Sequence, residues 1–173
     1  ARALAFNPPR PVDNPPGMIR HWEISPAFKL SRVDRRKTYT EQELGAIDWR
    51  PIEAEPNGRI DFCRWVARPQ GEQSTPDLLF ARTSIRAEKD EVRPLLFGYS
   101  DAVSLFLNGR LLFVGRSAYR QRDPSFLGIM GLWDEVSLPL RKGENELAAC
   151  VAESFGGWGL ICQDGSATTQ AAG

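Results

Sequence analysis

The stretch DAVSLFLNGRLLFVG, Asp101 to Gly115, decides the fold. Two alternating apolar runs flank Asn108-Gly109. Asn and Gly both tolerate positive φ, which a type I′ turn requires at its two central positions. The spacing predicts an antiparallel hairpin with Leu107 opposite Arg110 and Leu105 opposite Leu112. The period of two puts Val103, Leu105 and Leu107 on one face. Just before it, Ser100-Asp101 reads as a turn in which the Asp carboxylate hydrogen-bonds the backbone two residues on.

Working outward, the neighbouring stretches have the same texture. Val92 to Tyr99 reads as a strand after a charged turn at Glu88 to Glu91. Leu78 to Ala87 reads as another. Leu78, Phe80, Arg82 and Ser84 share one face, and Leu79, Ala81, Thr83 and Ile85 share the other. Ile60, Phe62 and the apolar positions around Trp65 suggest a strand, and Trp22 to Ser25 a short first one. Downstream, Glu135 to Leu140 alternates, Arg141 to Glu144 turns, and Asn145 to Ala152 gives a strand. Gly156-Gly157 reverses the chain before a last strand, Gly159 to Gln163. Only Thr40 to Ile47 has helical flavour, with Thr40 and Glu43 spaced as a capping box. Pro8, Pro9, Pro11, Pro15 and Pro16 make residues 1–18 an extended arm. The expected division is an arm over 1–18, a β-sandwich domain over 19–163 and a small polar tail over 164–173. Short strands, frequent turns and almost no helix indicate an all-β sandwich or barrel.

Composition removes several function classes. The chain has 173 residues, with Lys+Arg and Asp+Glu at 22 each and a formal net charge of zero. A general polyanion binder carries a basic excess, so no nucleic-acid partner is expected. The cluster Arg32, Arg35, Arg36 and Lys37 is diluted by Asp34, Glu41 and Glu43 and reads as a solvated face. No apolar run reaches the length of a membrane span, so no membrane partner is expected. A lone histidine, His21, excludes a histidine-rich metal site within one chain. No phosphate-binding glycine loop is present. The opening ARALAFNPPRPVDNPPG lacks the apolar core of a signal peptide. Cys63, Cys150 and Cys162 lack zinc-type spacing. A reversal at Gly156 would set Cys150 opposite Cys162. The pair then reads either as a bridge or, the favoured reading, as two small buried residues on adjacent strands.

Four stretches carry a resemblance: LFARTSIRA, LLFGYSDAVSLFLNGRLLFVG, VSLPLRKGENELAACV with its Leu-x-x-Gly-x-Asn turn, and FGGWGL. In this order they resemble the galactose-binding-domain-like jelly roll, over roughly Trp49 to Gln163. That all-β sandwich is the fold of many carbohydrate-binding modules and of sugar-binding domains attached to glycoside hydrolases. The resemblance implies a non-catalytic accessory module with a carbohydrate partner; the sequence does not fix the compartment, with secreted or periplasmic the favoured reading. It also raises a structural calcium ion, since related sandwiches often carry one. Jelly rolls also serve as structural or protein-interaction domains, so the site has to be argued separately.

The connection from Gly115 to Trp133 is long for a chain of this size, and such connections are often functional. Sugars are bound by an aromatic face plus polar groups that fix the hydroxyls. Tyr119, Arg120, Arg122 and Asp123 supply that set, with Trp133 and Asp101 adjacent. A second reading stands beside it. Arg122-Asp123 also reads as a loop-fixing ion pair, and Phe126 and Trp133 read first as core plugs. Trp158, between glycines, reads first as an indole folded back on the sheet, and Asn108 as a turn residue. A glycosidase needs two carboxyls facing across a cleft. Asp101, Asp123, Asp134, Glu135 and Glu153 cannot be paired from sequence, and the chain is short for such an enzyme. Intrinsic catalysis is therefore not expected.

Overall fold

A computed structural model describes residues 15–29, 41–67, 77–117, 130–154 and 157–167. Its strands are β1 (His21–Ile24), β2 (Phe28–Lys29), β3 (Arg50–Glu53), β4 (Arg59–Asp61), β5 (Asp77–Ala87) and β6 (Glu91–Ser100). They continue as β7 (Ala102–Leu107), β8 (Arg110–Arg116), β9 (Asp134–Leu140), β10 (Gly143–Glu153) and β11 (Gly159–Asp164). One short helix, α1 (Glu41–Gly45), precedes β3. The strands form two antiparallel sheets. One is seven-stranded, in the order β3-β1-β5-β10-β7-β8, with β2 also on β5. The other is four-stranded, in the order β4-β11-β6-β9. The chain is an all-β sandwich.

Alternation explains the layering. On β5, Leu79, Ala81 and Ile85 face the core between the sheets. Leu78 and Phe80 face the opposite side of the seven-stranded sheet. There they join Phe106, Cys150 and Ala152, with Ile47 and Trp49 packed against them. Trp49 stacks on the Arg82 guanidinium, 4.1 Å from ring centroid to Cζ. The inter-sheet core is built from Ile24, Leu95, Phe97, Val103, Leu105, Leu147 and Leu160, among others. Where Pro26 interrupts the first strand, Ser25 substitutes for the ladder: Phe80 N–H donates to Ser25 Oγ at 2.8 Å.

The hairpin forms as the sequence indicates. Asn108 and Gly109 adopt φ of 50° and 76°, and Leu107 pairs with Arg110. The expected pairing of Leu105 with Leu112 does not occur. A bulge between Leu105 and Phe106 sets Leu105 opposite Phe113. One extra residue on β8 thereby lets Leu111 face the outer cluster while Leu112 and Phe113 both pack on the core. Phe113 meets Phe97 of the other sheet edge-on at 5.0 Å.

Other expectations change where the chain switches sheets. β9 lies in the four-stranded sheet and β10 in the seven-stranded one, so residues 141–142 cross between layers rather than closing a hairpin. The same holds for β10 and β11. Cys150 pairs with Phe80 and Ser104, and Cys162 with Phe97. The two cysteines are therefore on different sheets, not on adjacent strands. All three cysteines are free thiols. Burial pushes the Cys162 thiol well above its ordinary value. The strand around Ile60 ends at Asp61 and passes into a 3-10 turn, Phe62–Arg64, whose Cys63 N–H is capped by Asp61 Oδ1. The helix spans Glu41–Gly45 rather than Thr40 to Ile47, and Thr40 falls outside the described residues. At the other end of the chain, Met18 bridges to Gln163, and Asp164 N–H donates to Gly17 O.

One end of the sandwich is held by a buried amide. Asn145 is 1% exposed. Its Nδ2 donates to Arg141 O at 2.7 Å, Gly143 O at 3.1 Å and Ile85 O at 3.4 Å. Its Oδ1 accepts from Arg141 N–H at 3.0 Å and from Asn108 Nδ2 at 2.9 Å. Asn108 Oδ1 in turn accepts from Glu146 N–H. Asn108 is thus a turn residue with a second duty in this network. Nearby, Arg93 binds Glu91 and Asp164. Burial opposes its charge, but the two carboxylates outweigh that and raise its pKa above the ordinary value.

Asn145→Ala is expected to lower stability by about 3 kcal/mol, because one buried and several part-buried backbone groups lose their partner and a buried side chain leaves a gap. Urea denaturation reads this. A loss under about 1 kcal/mol would mean that water substitutes for the amide. For the cysteines, the three thiols should all titrate in denatured, unreduced protein, and only Cys63 should react fast in the native state. A single titrating thiol would contradict the separation of Cys150 from Cys162.

Candidate functional site

The loop-bearing end lies opposite the Asn145 amide. Register places the end of β2, the start of β5, the end of β10, the start of β7 and the end of β8 side by side. In the other sheet, Ser100 closes β6 opposite Gly159, which opens β11, and Asp134 opens β9 opposite Phe97. The connection from Ser117 to Met130 therefore leaves and returns at this end. Tyr119, Arg120, Arg122, Asp123 and Phe126 lie on it, outside the described residues. Asp101 and Trp133 are both described, and both sit at this end.

Asp101 is buried at the crossing from β6 to β7. Its Oδ2 accepts from Ser154 N–H at 2.7 Å, and its Oδ1 from Ser100 Oγ at 3.1 Å. The carboxylate thus reaches the end of β10, not the backbone two residues on. Its main-chain N–H donates to Ala152 O, and its carbonyl accepts from Ser117 N–H. Ser117 Oγ donates to the Tyr99 and Asp101 carbonyls. Asp101 thereby fixes the point where the long connection departs.

Beside it lie charges that interrupt the apolar pattern. Asp77 pairs in register with Lys29 on one side and Glu153 on the other. All three are buried. Lys29 Nζ stands 2.7 Å from Asp77 Oδ1. On β5 and β10, Asp77 and Glu153 continue the faces of Leu79 and Val151, which are core. A charge at an apolar phase of a strand was the signal available in the sequence, and for Asp77 and Lys29 it was missed. Among the described residues, no group of three or more His, Cys, Asp or Glu is arranged to hold a metal ion. No helix among them is long and apolar enough to cross a membrane.

Trp133 is 42% exposed, so it does not plug the core. Among the described residues it is the one exposed Trp, Tyr or Phe side chain. The indole lies back over Gly131, whose Cα has no side chain to displace it. Trp158, by contrast, is buried. Its Nε1 donates to Val151 O at 3.1 Å, and its ring meets Phe62 edge-on. It folds back on the sheet as its sequence setting indicates. Trp22 is core, while Trp65 is half-buried with Arg50 over its ring.

No protein-family model matches the chain, and no curated protein matches it. Among solved structures it is similar to part of a beta-glucosidase from Kluyveromyces marxianus in complex with glucose. The identity is 9% and the TM-score 0.46, over 83% of this chain and 15% of that one. It is similar to part of a GH31 alpha-xylosidase from Xanthomonas citri at 10% identity and TM-score 0.42, over 83% of this chain and 13% of that one. It is also similar to the PA14 domain of the MpAFP antifreeze protein at 7% identity and TM-score 0.35, over 50% of this chain and 40% of that one. The chain thus spans a small part of the two glycosidases and under half of the third.

The Lys29–Asp77 pair gives a direct test of the polar row. Lys29→Met should cost about 3 kcal/mol by leaving a buried carboxylate without its ammonium. Adding Asp77→Leu should recover part of that loss in a double-mutant cycle. Equal stability of wild type and Lys29→Met would mean that the pair contributes nothing.

Proposed function

We propose that this chain is a non-catalytic carbohydrate-binding module, a galactose-binding-domain-like sandwich that serves a larger enzyme or surface protein. The observation that carries the reading is Trp133, a tryptophan exposed at 42% where the long connection re-enters the sandwich. An exposed indole on a rigid base is costly to leave in water and is suited to stacking on the C–H face of a sugar ring. Tyr119, Arg120, Arg122 and Asp123, from the same connection, are the proposed contact residues that fix the hydroxyls. Asp101 holds Ser117, the residue from which that connection departs. Its carboxylate is engaged by Ser154 and Ser100, so its part is to position rather than to touch.

The test is a glycan array on the purified chain, first with calcium and then with chelator. Binding to one glycan class is expected. Trp133→Ala should weaken that binding about tenfold, from the loss of ring stacking, with little change in thermal midpoint. Tyr119→Ala should also weaken it while the fold persists. A blank array from folded protein would overturn the reading and turn attention to a structural or protein-interaction role.

A further inference from the structure

β6 carries Gly98 between Phe97 and Tyr99. Both neighbours belong to the inter-sheet core, so position 98 points out of the four-stranded sheet. A Cβ there would stand 1.8 Å from the carbonyl oxygen of Gly131 and 2.9 Å from its carbon. No side chain fits in that space, so the backbone at Gly131 lies directly on the backbone of β6. Trp133 N–H donates to the same Gly131 oxygen at 3.0 Å, which closes a tight turn over 131–133. A Cβ on Gly131 would lie 2.8, 2.9 and 3.0 Å from Cε2, Nε1 and Cζ2 of Trp133. The indole therefore rests on the Gly131 Cα. Strand backbone, loop backbone and aromatic ring are stacked in three layers.

The seat extends to the next strand. Ile161 of β11 pairs with Gly98. Two residues earlier, on the same outward face, a Cβ on Gly159 would stand 2.5 Å from the Ile60 carbonyl oxygen of β4 and 2.9 Å from Met130 Cε. Gly98 thus makes room for Gly131, which opens the turn into Trp133, and Gly159, beside the β4 backbone, leaves the side chain of Met130 space over the next strand. On the far side, the pairing of Asp134 with Phe97 fixes the chain just after the ring.

We infer that Gly98 and Gly131 are positioning residues that present Trp133 in a set orientation before any ligand arrives. Gly98 admits the loop backbone, and Gly131 admits the ring. A ring already held in place loses little further freedom on binding, which raises affinity without a new contact. The consequence for binding rests on the carbohydrate reading; the stack itself can be tested without a sugar.

The experiment uses the full chain with Gly98→Ala and Gly131→Ala, each made also in a Trp133→Phe background, so that difference spectra isolate one tryptophan. Gly131→Ala is the cleaner variant, because its new methyl meets the Trp133 ring and not the strand. Its fold should survive even where Gly98→Ala fails to fold. For Gly131→Ala we expect a red-shifted Trp133 emission, stronger acrylamide quenching and a thermal midpoint near that of wild type. Binding to the glycan found for wild type should fall about tenfold, as for Trp133→Ala. Unchanged emission and quenching of Trp133 would overturn the stack. Altered quenching with unchanged glycan affinity would overturn its role in presenting the ring to sugar. If wild type binds no glycan, the carbohydrate reading falls, and quenching alone decides for or against the stack.

Discussion

The buried amide of Asn145 cross-ties neighbouring strands at the end where they run out into turns. It joins the end of β5, the crossing from β9 to β10 and, through Asn108, the hairpin of β7 and β8. An amide suits this place because it both donates and accepts, and a buried main-chain group left without a partner is costly. Arg93 adds to the same end, reaching Arg86 O on β5 while held by Glu91 and Asp164. With short crossings bonded in this way, the sandwich is closed there. The long connections are left to the opposite end.

That opposite end is held by charge instead of by a neutral amide. Asp101, the Lys29–Asp77 pair and Glu153 occupy positions where alternation alone would place apolar side chains. Buried charge is a poor source of stability against an apolar replacement. Its value here is geometric. The Asp101 carboxylate and carbonyl hold Ser154 and Ser117, the last described residues before residues 155–156 and 118–129. The departure at Ser154 is set by a carboxylate hydrogen bond that a hydrophobic side chain could not make, and the departure at Ser117 by bonds to the Asp101 and Tyr99 main-chain carbonyls.

The return of the long connection is governed by a different device. Gly98 omits a side chain so that loop backbone can lie on strand backbone, and Gly131 omits one so that an indole can lie on the loop. Close packing of this kind leaves the ring few alternative positions. Departure by hydrogen bonding and return by steric fit bracket the same stretch.

Much of the strand structure was legible from local pattern. Asn108-Gly109 specified its turn, and the two faces of β5 were readable from alternation, because side-chain direction is a property of the strand itself. Trp158 was legible as a packed indole, whereas Trp133, read first as a core plug, is exposed. The partner of each strand was not legible. Cys150 and Cys162 share a spacing that fits a hairpin, yet the chain between them crosses layers and they never face each other. Leu112 lost its expected partner to a bulge that lets β8 serve two apolar clusters at once. Gly98 looked like an ordinary strand residue until a second segment came to lie on it. The sequence by itself determined the all-β class, the main hairpin and the alternating faces, because those follow from neighbours along the chain. Only the tertiary structure decided which strands share a sheet, what Asp101 and Asn145 bind, and what Trp133 rests on, because those depend on segments far apart in sequence meeting in space.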